Sequence, residues 1–276
     1  MLTMPTHGYT LQTALSAIAQ DLRQGQGGYV CLANVHMCME AYDDPAFAEV
    51  LQHARYVLAD GRPIFWAQKL LGAADVAQIR GFDLVLAICE MAAAQGLRLG
   101  LYGGLDQAVL QQLEQQLCQR FPALNIVYSY APPYFSGPLP LDTPALALIK
   151  QQQVQILLVG LGCPKQERWM AMHQAHMALP SSSLCAAEHL ALSAKQSQAE
   201  PALPLMFGVG AAFDYLAGSK RHAPTWLQTF GLEWLYRLLL EPQRLTGRYL
   251  KHNPRFILHF GWQWIRSKIK GVSVVS

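Results

Sequence analysis

Four short apolar runs each end on a Gly or an Asp, and a helix-forming stretch follows at once: residues 56–60 (YVLAD), 97–104 (LRLGLYGG), 156–162 (ILLVGLG) and 205–210 (LMFGVG). Runs this short and this apolar suit strands buried inside a sheet. Glycine at the corner lets backbone come close to a ligand, and the first turn of the next helix offers unpaired N–H groups to an anion. A chain that repeats this corner builds a rim for a nucleotide or a phosphate. The third copy is the sharpest, because Pro164, Lys165, Gln166 and Glu167 follow it directly.

The rest of the chain keeps the same rhythm. Leu11, Leu15, Ile18 and Leu22 give residues 10–24 a helical stripe, and 29–33 (YVCLA) form a buried strand that ends at Asn34. Helices are expected over 62–71 and 83–95, closed by Gly72 and Gly96, and over 106–120 behind an Asp106 cap. Strand 125–128, a Pro-rich surface loop over 132–144, helix 144–152 and strand 154–159 come next. Pro164 is well placed to open a helix running to 178. Strand 205–209 and helix 211–217 complete an α/β pattern, a mostly parallel Rossmann-like sheet with helices on both faces. Residues 179–204, rich in Ser, Ala and Gln and bounded by prolines, read as a mobile insertion. From Pro224 the pattern is all helical (225–240, 242–250, 254–270), which divides the chain into a catalytic domain over 1–218 and a helical C-terminal appendage over 219–276.

With 276 residues, 52% hydrophobic and 14% charged, the chain can bury a large core. It has no 18-residue apolar run to span a bilayer, and residues 1–10 lack the features of a signal peptide. Six cysteines without a CxxC pair read as small core residues in a reducing cytosol. The net charge of +3 hides a segregation. Residues 219–276 hold ten Lys/Arg against Glu233 and Glu241, whereas 1–218 hold eleven against sixteen acids. The same tail carries Trp226, Trp234, Trp262 and Trp264. A cationic, Trp-rich end on an acidic body points to phosphates or lipid headgroups. No nucleic-acid partner is expected, and a homo-oligomer stays open.

Several residue groups invite chemistry, each with a plainer alternative. Gly160-x-Gly162 and Gly208-x-Gly210 resemble dinucleotide fingerprints, but neither has the third glycine or the later strand-end acid, which disfavours NAD. Lys165, Gln166 and Glu167 form either a solvated first turn or part of a site. Asp60 is either a helix N-cap or a carboxylate at the carboxyl edge of the sheet, where such folds place their sites. Asp214 is at least as well suited to hold backbone or a hydroxyl as to catalyse. His173 and His176 share a helix face without a third ligand, and Asp43-Asp44 lacks the acid-x-acid spacing of divalent-ion sites, so no metal and no cofactor is expected. Arg237, Arg244 and Arg248 lie near one helical face, and arginine's fork suits phosphate. Leu258, Trp262, Ile265 and Ile269 recur at helical spacing among Arg255, Arg266, Lys268 and Lys270. That stripe either lies in a headgroup layer or packs on the body.

Taken together, Ala59-Asp60-Gly61, Gly81-Phe82-Asp83-Leu84, 160–169 (GLGCPKQERW), 208–218 (GVGAAFDYLAG) and 231–242 (GLEWLYRLLLEP) with Arg244 resemble the WecG/TagA/CpsF family of bacterial glycosyltransferases. The resemblance runs in family order over about residues 28–250. It implies inverting, metal-free transfer of a sugar, N-acetylmannosamine or a relative, from a UDP-sugar to a polyprenyl-diphosphate-linked sugar at the cytoplasmic membrane face. A glucosyltransferase of exopolysaccharide assembly and a non-catalytic nucleotide-sugar-binding membrane protein are the alternatives. Under the resemblance Asp60 is the general base. Asn34, Gly162, Lys165, Gln166, Gly210 and Asp214 line the substrate pocket, and Arg237, Arg244, Arg248 and His222 approach the UDP diphosphate. His222 stands where the family usually has Arg, and Gly247 where a further basic residue is common.

Overall fold

The computed structural model describes residues 1–133, 135, 137, 140–178, 203–220, 223–224, 227 and 233–270. The 179–204 insertion, apart from its last two residues, and His222 lie outside them.

Six strands build one parallel sheet: β1 (Gly28–Ala33), β2 (Tyr56–Ala59), β3 (Arg98–Gly103), β4 (Asn125–Tyr130), β5 (Ile156–Gly160) and β6 (Leu205–Gly208), in the order β2-β1-β6-β5-β3-β4. Every residue of β1 is buried, because helices cover both faces of the sheet and leave no face for water. Tyr29 and Cys31 point to one face, where they meet Met37, Phe47, Leu51 and Trp169. Val30 and Leu32 point to the other, among Ile18, Leu84, Ile88, Leu110 and Phe213. Each large apolar side chain buried this way contributes about 1.5–3 kcal/mol.

The first face carries α2 (Val35–Asp43), α3 (Pro45–Gln52) and α8 (Lys165–Met177); the second carries α1 (Leu11–Arg23), α5 (Gly81–Gln95), α6 (Gln107–Arg120) and α9 (Ala212–Leu216). Between β2 and α5 lies α4 (Arg62–Leu70), and α7 (Thr143–Gln151) precedes β5. The expected Asp106 cap holds, its side chain accepting from the Val109 amide at 2.8 Å, and α1 has a cap of its own where the Thr10 side chain accepts from the Thr13 amide. Gly96 closes α5 in the left-handed conformation, φ 64°.

Two features of the helices depart from the sequence reading. α2 and α3 have no counterpart in the sequence reading, since Met, Cys and Ala make α2 apolar on most of its surface and α3 is only eight residues long, with its stripe confined to Phe47, Ala48 and Leu51. Their signal is in the caps, where Asn34 accepts from the Met37 amide at 3.1 Å and Asp44 from the Ala46 amide at 2.9 Å. The tail is α10 (Glu233–Leu240) and one long α11 (Pro242–Lys270), which passes through Pro254 instead of breaking there. A proline inside a helix forfeits a main-chain bond and crowds the carbonyl four residues back, at about 3 kcal/mol, and packing outweighs that loss: Phe256 and Phe260 on the following turns belong to the core. Polar ties add to the seam, with the Arg255 guanidinium on Asp43 (2.8 Å), the Leu2 amide on Gln263 (2.9 Å) and the Trp264 indole N–H on the Leu70 carbonyl (3.1 Å).

Candidate active site

The carboxyl ends of β2, β1, β6 and β5, neighbours in the sheet, open into one cavity of about 540 Å³ roofed by α10 and α11. A parallel α/β sheet places ligands at this edge, where helix starts and glycine corners converge.

Asp60 follows β2 and lines the cavity. It does not cap α4, whose N-cap is Gly61 without a side-chain bond. Its Oδ1 instead accepts from the Gly81 amide at 3.0 Å, the first N–H of α5, and its carbonyl accepts from Gln78 Nε2 at 2.7 Å. The carboxylate therefore sits at a helix N-terminus, but of a helix 21 residues further along. Burial pushes its pKa up to about 6, with Glu233 adding to the rise, against the pull of the Gly81 amide and the charges of Arg237 and Arg80. Such a group is ionised at neutral pH and still basic enough to take a proton.

Gln166 faces the cavity from the first turn of α8 and is 4% exposed. Its Oε1 accepts from the Gly162 amide at 3.1 Å and its Nε2 donates to Glu167 Oε1 at 2.7 Å, so both ends of the amide are held. Gly208 makes room for it, because a Cβ there would fall 2.9 Å from Gln166 Nε2. Gly162 turns the corner at φ 79°. Behind the amide Glu167 is fully buried, Oε2 lacks a hydrogen-bond partner among the described residues, and burial raises its pKa to about 7.

Opposite this wall, Arg237 of α10 lies over the Tyr215 ring at 5.4 Å, and its buried Nε has no partner among the described residues. An unpartnered guanidinium N–H in a cavity suits an anionic oxygen. Asn34, Gly210 and Arg248 line the same space. Lys165 and Asp214 do not. Lys165 Nζ turns outward to the Phe135 carbonyl, and Asp214 pairs with Lys220 at 2.7 Å. Their places in the sequence put them beside the corners, but the helical turn points them away. Arg244 is on α11 with its side chain outside the described part. Gln78, Arg80, Tyr215, His36 and His252 also line the cavity without having been singled out from sequence. Arg80 had a legible signal, since it immediately precedes the Gly81-Phe82-Asp83 block.

A sheet-edge cavity with a carboxylate on one wall and, on the other, an arginine Nε without a partner among the described residues is a site suited to an anionic ligand in an α/β fold. The sequence matches the Glycosyl transferase WecG/TagA/CpsF family over residues 1–203 and 188–270, and the chain belongs to that family. Among its relatives, a protein of Bacillus spizizenii is 26% identical over 81% of this chain and 75% of its own length. One from Staphylococcus aureus (strain NCTC 8325 / PS 47) is 27% identical over 83% and 78%. Both are named N-acetylglucosaminyldiphosphoundecaprenol N-acetyl-beta-D-mannosaminyltransferase.

Proposed function

We propose that this chain transfers an N-acetylmannosaminyl or closely related residue from a UDP-sugar to a sugar carried on a polyprenyl diphosphate, with inversion, at the inner surface of the cell membrane. The observation that carries the reading is the pairing of Asp60 and Arg237 across one cavity. The acceptor hydroxyl gives its proton to the Asp60 carboxylate as its oxygen bonds to the anomeric carbon. The bond from that carbon to the diphosphate oxygen breaks, and the electron pair leaves with UDP. Arg237 and Arg248 offset the charge gathering on the diphosphate. Gln166, fixed at both ends, supplies a rigid polar wall for the sugar. The names of the two relatives support the acceptor class and the transferred sugar. On this reading residues 1–218 do the chemistry, while 219–276 close the donor site and meet the membrane.

The test is a panel of UDP-sugars incubated with a lipid-diphosphate-linked N-acetylglucosamine, following UDP release and the glycolipid formed. A mannosamine-type donor is expected to give both. UDP release without glycolipid, or neither with any donor, overturns the reading.

A further inference from the structure

A second cluster reaches the cavity wall through His36 and His252, and the reaction proposed above makes no use of it. His36 and Glu40 lie one turn apart on α2, and His252 reaches them from α11. Glu40 Oε1 is 3.7 Å from His36 Nδ1 and 3.7 Å from His252 Nε2, and the two rings meet edge to face with centroids 5.0 Å apart. The three ligand atoms all lie within 4.8 Å of one another.

These separations are too long for hydrogen bonds. His36 Nδ1, the nitrogen that faces Glu40, is shut off from solvent and has no partner among the described residues, and the His252 ring, whose Nε2 faces Glu40, is 4% exposed. Polar groups buried in this way are uncommon and call for an explanation. On a tetrahedral ion with ligand bonds near 2.0–2.1 Å, neighbouring ligand atoms sit roughly 3.3–3.4 Å apart. The cluster is a slight closing of three side chains away from that geometry.

We propose that His36, Glu40 and His252 bind a divalent transition-metal cation of the Zn²⁺ class, which pins α11 to α2.

The donor set selects the ion. Two imidazoles and one carboxylate suit zinc and its neighbours, whereas Mg²⁺ and Ca²⁺ take oxygen shells. Position gives the cation a purpose: His36 is two residues past Asn34, and His252 shares α11 with the cavity-lining Arg248 and Tyr249. Fixing one fixes the other.

The full chain, stripped with a chelator and dialysed, is titrated with Zn²⁺ while heat and thermal stability are followed. Co²⁺ serves as a second probe through its visible absorption. Wild type is expected to take up one ion per chain, with a rise in Tm and the strong visible bands of low-coordinate Co²⁺. His36→Gln and His252→Gln are each expected to weaken binding by roughly 100-fold or more, beyond what loss of an outer partner costs. His53→Gln, on an exposed histidine, is expected to change nothing. Should the cluster histidine variants fail to fold, Glu40→Gln decides: weakened uptake supports the site and unchanged uptake overturns it. Absence of binding in wild type, or wild-type stoichiometry and affinity in the folded cluster variants, also overturns it.

Discussion

Asp60 and Glu167 are both carboxyls lifted by burial, but only Asp60 lines the cavity. Asp60→Asn keeps an oxygen for the Gly81 amide, so folding and UDP binding are expected to persist. Transfer should fall by ~10²–10⁴-fold. Wild-type turnover should also decline as pH drops through about 6, because Asp60 then takes up a proton. The groups facing it that would shift this limb are Glu233, Arg237 and Arg80. Near-normal turnover in the variant would return Asp60 to a purely structural role at the start of α5. Glu167 gives a stability effect instead. Its folded pKa of about 7 exceeds the ordinary 4.5, so the folded chain keeps a proton that the unfolded chain releases. That contribution is complete below about 4.5 and is lost as pH rises to 7. Glu167→Gln is therefore expected to gain stability relative to wild type on going from pH 5 to pH 8, by at most on the order of 3 kcal/mol. Denaturant melts at the two pH values measure it, and a pH-independent difference would refute the account. Sequence made Asp60 visible through its place at a strand end. It could not reveal the Gly81 partner or the meeting of His36 with His252, because those depend on how distant segments fold together.

At the scale of elements, the strands and the helices that alternate with them were legible because each combines an apolar run with a glycine or a cap. α2 and α3 were not: nearly continuous burial erases the periodicity of α2, and α3, only eight residues long, carries its stripe on Phe47, Ala48 and Leu51 alone. The break expected at Pro254 failed for a related reason: local propensity yields to packing when the next turns bury Phe256 and Phe260. α10 supplies Arg237, and its role separates cleanly from folding. The visible ties of this side chain are the Tyr215 ring and the charges of the cavity, and a cation–π contact is worth about 0.5–2 kcal/mol, the upper end where it is shut off from water. A charge-assisted bond to a diphosphate is worth about 1.5–3 kcal/mol. Arg237→Ala is thus expected to raise the KM for the sugar nucleotide by roughly 10- to 150-fold while Tm moves by only a few degrees. A collapse in Tm with donor KM unchanged among the surviving molecules would make Arg237 structural.

For the molecule as a whole, the question is how a chain in which no described helix is long and apolar enough to cross a membrane meets a substrate anchored in one. α11 divides into two faces. Leu245, His252, Phe256 and Phe260 are buried, whereas Leu250, Ile257, Leu258, Trp262, Ile265 and Ile269 are exposed, Ile269 at 78%. The stripe read from sequence is therefore the outer one, and packing claims its opposite. The Trp264 bond to the Leu70 carbonyl brings the end of α4 beside it, with Trp66 and Leu70 also half exposed. Arg266 stacks over Trp262 at 4.8 Å, whereas Arg255 is tied to Asp43 and contributes less to a lipid surface than sequence suggested. Deleting the helix beyond Pro254 would uncover the core around Phe256 and Phe260, so surface substitutions are the sounder probe. Each large apolar side chain moved out of water contributes about 1.5–3 kcal/mol, and each basic residue near an anionic surface about 1 kcal/mol. Leu258→Ser, Trp262→Ser and Ile265→Ser combined are expected to abolish co-sedimentation with phosphatidylglycerol vesicles, leaving Tm unchanged. Wild-type binding should weaken in high salt, because screening reaches the lysines and arginines but not the apolar contacts. Transfer to a long-chain polyprenyl acceptor should then fall in the triple variant while transfer to a short, soluble analogue persists. Equal loss on both acceptors, or vesicle binding indifferent to the three substitutions, would mean that the exposed face of α11 serves something other than the bilayer.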